Sequence, residues 1–329
     1  MRKSVKAALT AAVILIICGA VLGKYGYSLV SLSRGGKNTM QKKASYKSSD
    51  IVSLSADCDS ENLKVYTAKG SDILLSWDED DKRKLEISEK DGELKLTYRD
   101  HRKWYEYLRF GIDIKTCELS IGIPENYGGA LSLETDSGNI SAEDISVLKD
   151  IKFSADSGNI KADGVSALGS VEFSVSSGNV IISGLDSGLG VELKNTSGNI
   201  KAEGVILNDD FSARTSSGNL KIYNVSGAKN VEIKVSSGRV EFTDIAAENF
   251  NVSASSGDVS FSNILPAKSI ELKAVSGNVR GTISDDINNY TIESSCVSGN
   301  NNLPRSAAYG DKMLKASVTS GNIKVEFDK

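Results

Sequence analysis

The chain has 329 residues, with 39 basic and 43 acidic side chains and a formal net charge of −4. This balance excludes a nucleic-acid binder that relies on a basic surface, and a single histidine excludes a histidine-based metal cluster. Four cysteines are too few for a disulfide-dense scaffold, while 30 glycines and 3 prolines favour uninterrupted strands joined by many turns.

The N-terminus has the pattern of a membrane segment. Residues 1–6 are basic and are predicted to be cytoplasmic, and the uncharged apolar run over 7–23 is predicted to be a transmembrane helix. Positive charge before this run favours an extracytoplasmic location for the remainder of the chain. A cleaved signal peptide is the alternative, although no small-residue cleavage site follows the run closely. Residues 24–47, rich in Ser, Gly and Lys, are predicted to be a linker.

Residues 48–130 are predicted to form a β-rich cap, because apolar and polar residues alternate there without a longer period. Within the cap, residues 99–110 combine four aromatic and four basic side chains. Such side chains favour contact with sugars or lipid headgroups. A solvated hairpin with its aromatic side chains packed beneath it is the alternative. The candidate contact residues are His101, Arg102, Lys103, Trp104, Tyr105 and Tyr107.

Three cysteines fall at inward positions of predicted strands. Cys58 and Cys117 lie in the cap, where an exported protein could join them in a disulfide, and two separately buried thiols are the alternative. Cys296 lies three residues before a repeated glycine, at a position occupied by Ala or Val in other repeats, and is expected to be a small core residue.

A Ser-Gly pair recurs ten times in the second part of the chain, at spacings of 19 to 22 residues. Asn follows the glycine in eight copies, and Arg239 and Asp258 are the exceptions. A regular repeat of this kind indicates a stack of similar units. The ten glycines are predicted to be structural corners: Gly138, Gly158, Gly178, Gly198, Gly218, Gly238, Gly257, Gly277, Gly299 and Gly321.

Apolar residues occupy fixed positions around each glycine. In the second copy, Ile151 and Phe153 precede the glycine by seven and five residues, and Ile160 and Ala162 follow it by two and four. This alternation predicts strands with one buried face. The inward positions on the two sides of the glycine are separated by an odd number, so the chain must turn a corner there. A second turn is predicted six residues later, at Gly164 in this copy.

Two short strands and two corners in about 20 residues are typical of one coil of a β-solenoid. Residues 131–329 are therefore predicted to form a parallel β-solenoid of about ten coils that stack at ~4.8 Å, preceded by the cap and one transmembrane helix. Residues 20 apart would lie above one another, so that the Asn side chains form a ladder. The chain stops in mid-repeat, and residues 323–329 are expected to form the last, charged edge.

The sequence indicates no catalytic, cofactor or metal site. Asp136, Asp156 and Asp258 lie near corners, but most copies have Ser or Asn there, which disfavours a repeated calcium site. Acidic residues are scattered over strands and corners, and no pair at the fixed separation of a glycosidase emerges. We therefore predict a non-enzymatic protein without a cofactor, with a polysaccharide-active enzyme as one alternative.

The repeated Ser-Gly-Asn-Ile-x-Ala pattern, the segment Leu119–Pro124 and the N-terminal apolar run resemble the bacterial "putative adhesin" family of β-strand-repeat envelope proteins, a domain of unknown function. The resemblance covers residues 48–329. It implies a single-pass protein of the cell membrane that acts as an extracytoplasmic binding or structural module. An envelope polymer or a membrane protein would then be its partner. Some relatives accompany Lia-type envelope-stress systems, which implies a sensing or regulatory role as another alternative. The resemblance supplies no catalytic residues.

Overall fold

The computed structural model describes residues 40–80, 82–101 and 117–328. These residues form an all-β parallel β-solenoid of about ten coils, as predicted. The helices described among them are 3-10 turns such as Ser48–Asp50, and none is long and apolar enough to cross a membrane. The predicted cytoplasmic segment 1–6 and the predicted transmembrane helix 7–23 lie outside the described residues.

Within the described residues, seven strands precede the repeats. They are β1 (Met40–Lys47), β2 (Ser53–Cys58), β3 (Asn62–Ala68), β4 (Asp72–Glu79), β5 (Arg83–Lys90), β6 (Glu93–Asp100) and β7 (Glu118–Pro124).

The first eight coils, numbered here by their corner glycines from Gly138 to Gly277, are built from β8–β21. These strands are β8 (Ala130–Thr135), β9 (Ile140–Glu143), β10 (Ser146–Val147), β11 (Ile151–Ser157), β12 (Ile160–Ala167), β13 (Val171–Ser177), β14 (Val180–Ser187), β15 (Val191–Ser197), β16 (Ile200–Leu207), β17 (Phe211–Ser217), β18 (Leu220–Ser237), β19 (Val240–Ser256), β20 (Val259–Ser276) and β21 (Val279–Ile283). The last two coils, with corner glycines Gly299 and Gly321, contain β22 (Tyr290–Ser298), β23 (Ser306–Ala308), β24 (Lys312–Ser320) and β25 (Ile323–Phe327).

Neighbouring coils pair in parallel with residues 20 apart opposite one another. Ile151 of coil 2 pairs with Val171 of coil 3, and Ile160 pairs with Val180. The side chains at the predicted inward positions are buried, and rings stack between coils, as in the Phe153–Phe173 pair with centroids 5.0 Å apart. This column of apolar contacts is continuous from coil to coil, so each coil is stabilised by its neighbours.

Coils 1–7 have three sides rather than the two that the repeat predicts. The second turn falls within a continuous strand, where Gly164 has a φ of +61° and bends β12 into a third side. In coil 2 this side adds Val165 and Ala167 to the core, both 2% exposed. Coils with Asn or Asp at the bend, such as Asn224 at φ +55°, adopt the same left-handed conformation.

The N-terminal end contains one more coil than the repeat predicts. Strands β2 and β3 pair in parallel with β8 and β9 of coil 1, with Cys58 opposite Thr135 and Leu63 opposite Ile140. The alignment places Asp59-Ser60-Glu61-Asn62 over Asp136-Ser137-Gly138-Asn139. We call β2–β3 the inner cap rung.

A second, outer cap rung consists of β6 and β7, which pair with the far sides of β2 and β3. At this end of the solenoid, strands β6 and β7 therefore lie further from the repeats than β2 and β3, although they come later in the chain. Strands β5 and β4 cover the outer rung by antiparallel pairing with β6 and β7. Antiparallel strands interrupt the parallel stack, so the solenoid does not continue beyond them.

The predicted linker over 24–47 ends earlier than expected. Residues 40–47 form β1, which pairs antiparallel with β4 along its whole length. Ala44 and Tyr46 pack against the core from this strand, and the Lys42 ammonium contacts Glu79. The lysine-rich composition suggested a linker, but alternate side chains of this segment face the core.

The C-terminal end corrects the prediction that coils stack in sequence order. Strand β24 of coil 10 pairs with β20 of coil 8 on one side and with β22 of coil 9 on the other. Coil 10 is therefore inserted between coils 8 and 9, and coil 9 is the outermost coil. The antiparallel strand β23 covers part of its edge.

Irregular residues of coil 9 cover the edge of β25 that faces away from β21. The side-chain amide of Asn302 donates to the carbonyl oxygen of Val325 at 2.7 Å and accepts from its N–H at 2.9 Å. One side chain thus satisfies both backbone groups that another strand would bind. Residues 323–327 form β25 as expected, but they do not form the exposed end of the solenoid.

Candidate functional site

The ten repeated glycines lie where one coil's backbone passes directly over the next. A Cβ atom on Gly198 would lie 1.7 Å from the carbonyl oxygen of Gly178, and the corresponding distances at the other nine corners are 1.8 to 2.0 Å. Eight of the glycines also have φ between +136° and +148°. Close backbone approach therefore requires glycine at every corner, and an unfavourable φ adds to the requirement at most of them.

The inner cap rung has Glu61 at the equivalent position. The backbone of Gly138 passes directly over the carbonyl oxygen of Glu61, in the same way that each later corner glycine passes over the carbonyl oxygen of a corner glycine in the neighbouring coil. The next rung out is β6–β7, whose two strands are separated in sequence by residues 101–117 rather than by a Ser-Gly corner. In the part of the chain that the structure describes, no repeated glycine carbonyl lies beneath residue 61, so a side chain is tolerated there.

The Asn side chains that follow the glycines form a hydrogen-bonded ladder. Each Asn Oδ1 accepts from both the backbone N–H and the side-chain amide of the next Asn, as Asn139 does from Asn159 at 2.9 and 3.0 Å. The ladder begins at Asn62 of the inner cap rung and continues to Asn219. It satisfies a backbone donor at each corner that the strand pairing leaves free.

Arg239 and Asp258 interrupt this ladder. The N–H of Arg239 donates to Asn219, but its side chain has no acceptor for the following coil. The ladder restarts at Asp258, which accepts two hydrogen bonds from Asn278 and pairs with Arg280 at 2.9 Å. The hydrogen bond from the Asn278 backbone, together with the charge of Arg280, lowers the pKa of Asp258.

The structure describes only part of the predicted contact segment. His101 is exposed, and its backbone N–H donates to the carbonyl oxygen of Lys82 at 2.9 Å. Arg102, Lys103, Trp104, Tyr105 and Tyr107 lie outside the described residues. In sequence, the segment falls between β6 and β7, the two strands of the outer cap rung.

Charged groups cluster around the base of this segment. The buried guanidinium of Arg83 donates to Asp80 from Nε at 3.0 Å and Nη2 at 2.7 Å. Burial alone would raise the pKa of Glu79, but hydrogen bonds from Lys42 and Trp77 outweigh it and lower the pKa. These contacts fix the strand ends from which the segment emerges, and they give the cluster a structural role.

A groove of about 830 Å³ lies on the outer face of the cap. We call it the cap groove. It lies across β1, β4, β7, β3 and the neighbouring β9, whose outward side chains form its floor and rim. Its lining residues are Gln41, Lys43, Ala44, Ser45, Lys64, Tyr66, Leu74, Leu75, Ser76, Glu118, Ser120 and Glu143.

The groove combines an apolar floor with a polar rim. Tyr66 lies against the backbone of Gly122, where any Cβ would be 3.1 Å from the phenol ring, and Leu74 is 38% exposed beside it. At the rim, the Lys64 ammonium lies 3.0 Å from the Glu143 carboxylate, and this hydrogen bond raises the pKa of Lys64. Two lysines and two glutamates make the lining neutral overall.

The groove leaves no repeated pattern in the sequence, because its lining residues lie at outward positions of separate strands. Tyr66 and Leu74 are apolar at positions where polar residues are expected, and this was the available signal. The two residues come together only because β7 lies between β3 and β4, with Gly122 opposite both of them.

Cys58, Cys117 and Cys296 have free thiols. Burial raises the pKa of both Cys58 and Cys117, so neither is a reactive thiolate. Cys296 is half-buried, and its Sγ lies 3.2 Å from the carbonyl oxygen of Gly321 in the inserted coil. Across residues 40–80, 82–101 and 117–328, no group of three or more His, Cys, Asp or Glu side chains is arranged to hold a metal ion.

The profile of the family described as Toastrack DUF4097 matches residues 51–208 and again residues 168–326. These two matches cover most of the chain, and the protein belongs to this family. They overlap within the repeats, where successive coils are similar to one another. A search of curated proteins gave no match.

Three solved structures are similar in fold. A putative cell adhesion protein from Clostridium sporogenes is 9% identical, with 88% of this chain and 100% of that chain covered and a TM-score of 0.27. A putative adhesin from Bacteroides fragilis is 13% identical, with 88% and 97% covered and a TM-score of 0.37. A putative lipid binding protein from Parabacteroides distasonis is 11% identical, with 89% and 98% covered and a TM-score of 0.34.

Proposed function

We propose that the protein is a binding and structural module of the bacterial cell envelope. The apolar run at 7–23 anchors it in the cell membrane, and the solenoid lies outside the cytoplasm. The sequence pattern of that run and its resemblance to envelope proteins support this location. The position of β1 supports a tethering role for the cap, since this strand is the first described element after the anchor.

The cap groove is the observation that supports a binding role. A half-buried phenol ring and a partly exposed leucine side chain provide an apolar surface, and serine hydroxyls, an amide, ammonium groups and carboxylates surround it. Such a mixture matches a sugar, which has an apolar ring face and hydroxyl or acetamido groups at its edge. Because the lining charges balance, a saccharide chain of low charge fits better than a polyanion.

Sedimentation with purified peptidoglycan, and separately with a polyanionic teichoic acid, tests this proposal. The protein is expected to sediment with peptidoglycan, and Tyr66→Ala to weaken that binding at least about tenfold, the effect of losing about 1.4 kcal/mol. Tyr309→Ala is the matched control because Tyr309 is 54% exposed at the other end. Equal binding by the two variants, or a preference for the polyanion, would contradict the assignment.

Labelling of intact cells tests the location. Val297 is 80% exposed on coil 9, so a membrane-impermeant maleimide should label Val297→Cys on intact cells if the solenoid is outside. Labelling only after permeabilisation would contradict the topology. A stress regulator would instead require a membrane partner and no glycan, while an enzyme would cleave the glycan and lose turnover on substitution of one acidic residue.

A further inference from the structure

Four consecutive coils each expose one large apolar side chain; three of these lie at the corner where the third side leads into the next coil, and Ile206 lies at an outward position of the third side itself. These residues are Leu148, Leu168, Leu189 and Ile206, with exposed fractions of 45%, 63%, 51% and 56%. We call them the leucine stripe. Coils are ~4.8 Å apart, so the stripe is on the order of 15 Å long.

The corner residues of the stripe, Leu148, Leu168 and Leu189, lie in coils 1–3, and Leu265 of coil 7 is 47% exposed at the position equivalent to Ile206. At the same corner of the later coils, ion pairs join successive coils, such as Lys229 with Asp209 at 3.1 Å and Lys268 with Glu248. The fold therefore does not require apolar residues at this corner. Adjacent exposed apolar side chains in successive coils are characteristic of an interaction surface.

At this corner, equivalent residues of coils 1–4 form two neighbouring columns along the stack. Each column is complementary to the same column of a second copy that runs in the opposite direction. From coil 1 to coil 4, one column reads Leu148, Leu168, Gly188, Asn208 and the next reads Lys149, Gly169, Leu189, Asp209. A twofold axis between coils 2 and 3 places coil 1 against coil 4 of a second copy and coil 2 against coil 3. Leu168 then faces Gly188, Gly169 faces Leu189, and Lys149 faces Asp209.

We propose that the leucine stripe binds a second copy of this chain in an antiparallel, twofold-symmetric contact. Leu168 and Leu189 each meet a glycine of the other copy, Leu148 meets Asn208, and Lys149 meets Asp209. Asp209 already pairs with Lys229, but both side chains are about half exposed and such a pair contributes little, so it can rearrange.

The size of the stripe predicts a weak contact. A patch four coils long is well below the ~800 Å² per partner of a standard interface. Two copies tethered in one membrane experience a high effective concentration, which favours association without a larger surface. The contact is therefore expected to form at the membrane and to be weak in dilute solution.

Disulfide trapping of the full chain in membranes tests the contact. Within one copy, residues 149 and 209 lie three coils apart, or about 14 Å, which is too far for a disulfide. Oxidation of Lys149→Cys/Asp209→Cys is therefore expected to give a covalent dimer. Lys149→Cys/Lys268→Cys is the matched control, because residue 268 has the same place in coil 7 and is exposed. We expect at least about tenfold more dimer than from this control.

A charged substitution within the stripe provides the second part of the test. Adding Leu168→Glu should reduce trapping to the control level, whereas adding Val297→Glu, at an exposed site on coil 9, should leave it unchanged. Thermal unfolding should be similar for both, since both side chains point into solvent. Trapping at the control level, or trapping that Leu168→Glu leaves unchanged, would overturn the proposal. The result is independent of glycan binding.

Discussion

The middle coils and the two ends of the solenoid use different means to satisfy the same backbone groups. In the middle, each coil provides the next with a glycine carbonyl oxygen, a set of apolar side chains and an Asn amide. At the ends, antiparallel strands and the Asn302 side chain take the place of another coil. The regular middle coils thus allow the stack to extend, and the irregular elements at the two ends stop it.

Chain order also differs between these regions. In the middle, coils follow one another in sequence. At each end, a rung is inserted between two others: β2–β3 between coil 1 and β6–β7, and β24–β25 between coils 8 and 9. An inserted rung is covered on both sides, so residues near the described ends of the chain belong to the interior of the stack.

The largest expected effect comes from removal of the inserted C-terminal rung. Truncation after Asp311 removes five buried residues, among them Leu314 and Val318, and leaves coil 9 without its neighbour. Each such residue contributes roughly 1.5–3 kcal/mol, so this end should unfold locally. Thiol labelling resolved by peptide should show Cys296 reacting much faster, with Cys58 and Cys117 still protected.

Removal of Asp328 and Lys329 alone is the control for this truncation and should leave labelling unchanged. If coil 9 instead rests directly on coil 8, Cys296 will be as protected in the longer truncation as in the full chain. That outcome would contradict the inserted order.

A side chain at a middle corner should have the next largest effect. Gly198→Val introduces a Cβ 1.7 Å from the carbonyl oxygen of Gly178 at a φ of +139°, and we expect a loss of at least about 3 kcal/mol of unfolding free energy. Lys201→Val, at an outward strand position, should change it by less than about 0.5 kcal/mol. Denaturant unfolding measures both. Equal midpoints would contradict the role of the corner.

The contact between the C-terminal rung and coil 8 should depend on pH. Burial alone would raise the pKa of Asp285, but hydrogen bonds from Lys312 at 2.6 Å, Asn289 at 2.6 Å and Tyr290 at 3.0 Å outweigh it and lower the pKa to about 2. The folded-state value lies below the ordinary 3.8, so this stabilisation is present above about pH 4 and is lost as the pH falls towards 2.

Asp285→Asn separates this contribution from that of other carboxylates. The wild-type protein should be more stable than the variant at pH 7, and the difference should shrink as the pH falls from 4 to 2. Unfolding curves of both proteins across this range provide the measurement. A difference that is constant with pH would show that the carboxylate charge is not involved.

The smallest expected effect is a gain of stability. Arg239→Asn places an amide oxygen where the ladder lacks an acceptor for the coil that begins at Asp258, and we expect about 0.5–1.5 kcal/mol for the restored hydrogen bond. Arg239→Gln is the control, because it removes the same charge but places the amide one methylene further out. A melting temperature that rises equally in both variants would assign the gain to charge.

The middle of the fold follows directly from the sequence because every coil repeats the same local requirements. A glycine beneath a carbonyl oxygen, as at Gly198, recurs at ten corners, and a bend six residues later, as at Gly204, recurs in the first seven coils. The inner cap rung escaped detection because Glu61 replaces the glycine. The residue is allowed there since no glycine carbonyl lies beneath it, so the repeat loses its marker where the constraint ends.

The ends and the cap groove depend on contacts between distant parts of the chain. Whether coil 10 stacks outside coil 9 or enters between coils 8 and 9 leaves no mark in local alternation, because both arrangements bury the same residues. The meeting of Tyr66 and Leu74 likewise depends on β7 pairing with both β3 and β4. Register within a coil can be read from the sequence, but the order of rungs cannot.

The identical corner in each middle coil has an evolutionary consequence. Since every glycine carbonyl presents the same surface to its successor, a block of 20 residues can be duplicated or deleted in frame without altering either terminus of the stack. Such events would change the length of the rod in steps of ~4.8 Å. Homologous proteins are then expected to differ in reach while keeping the same two terminal assemblies.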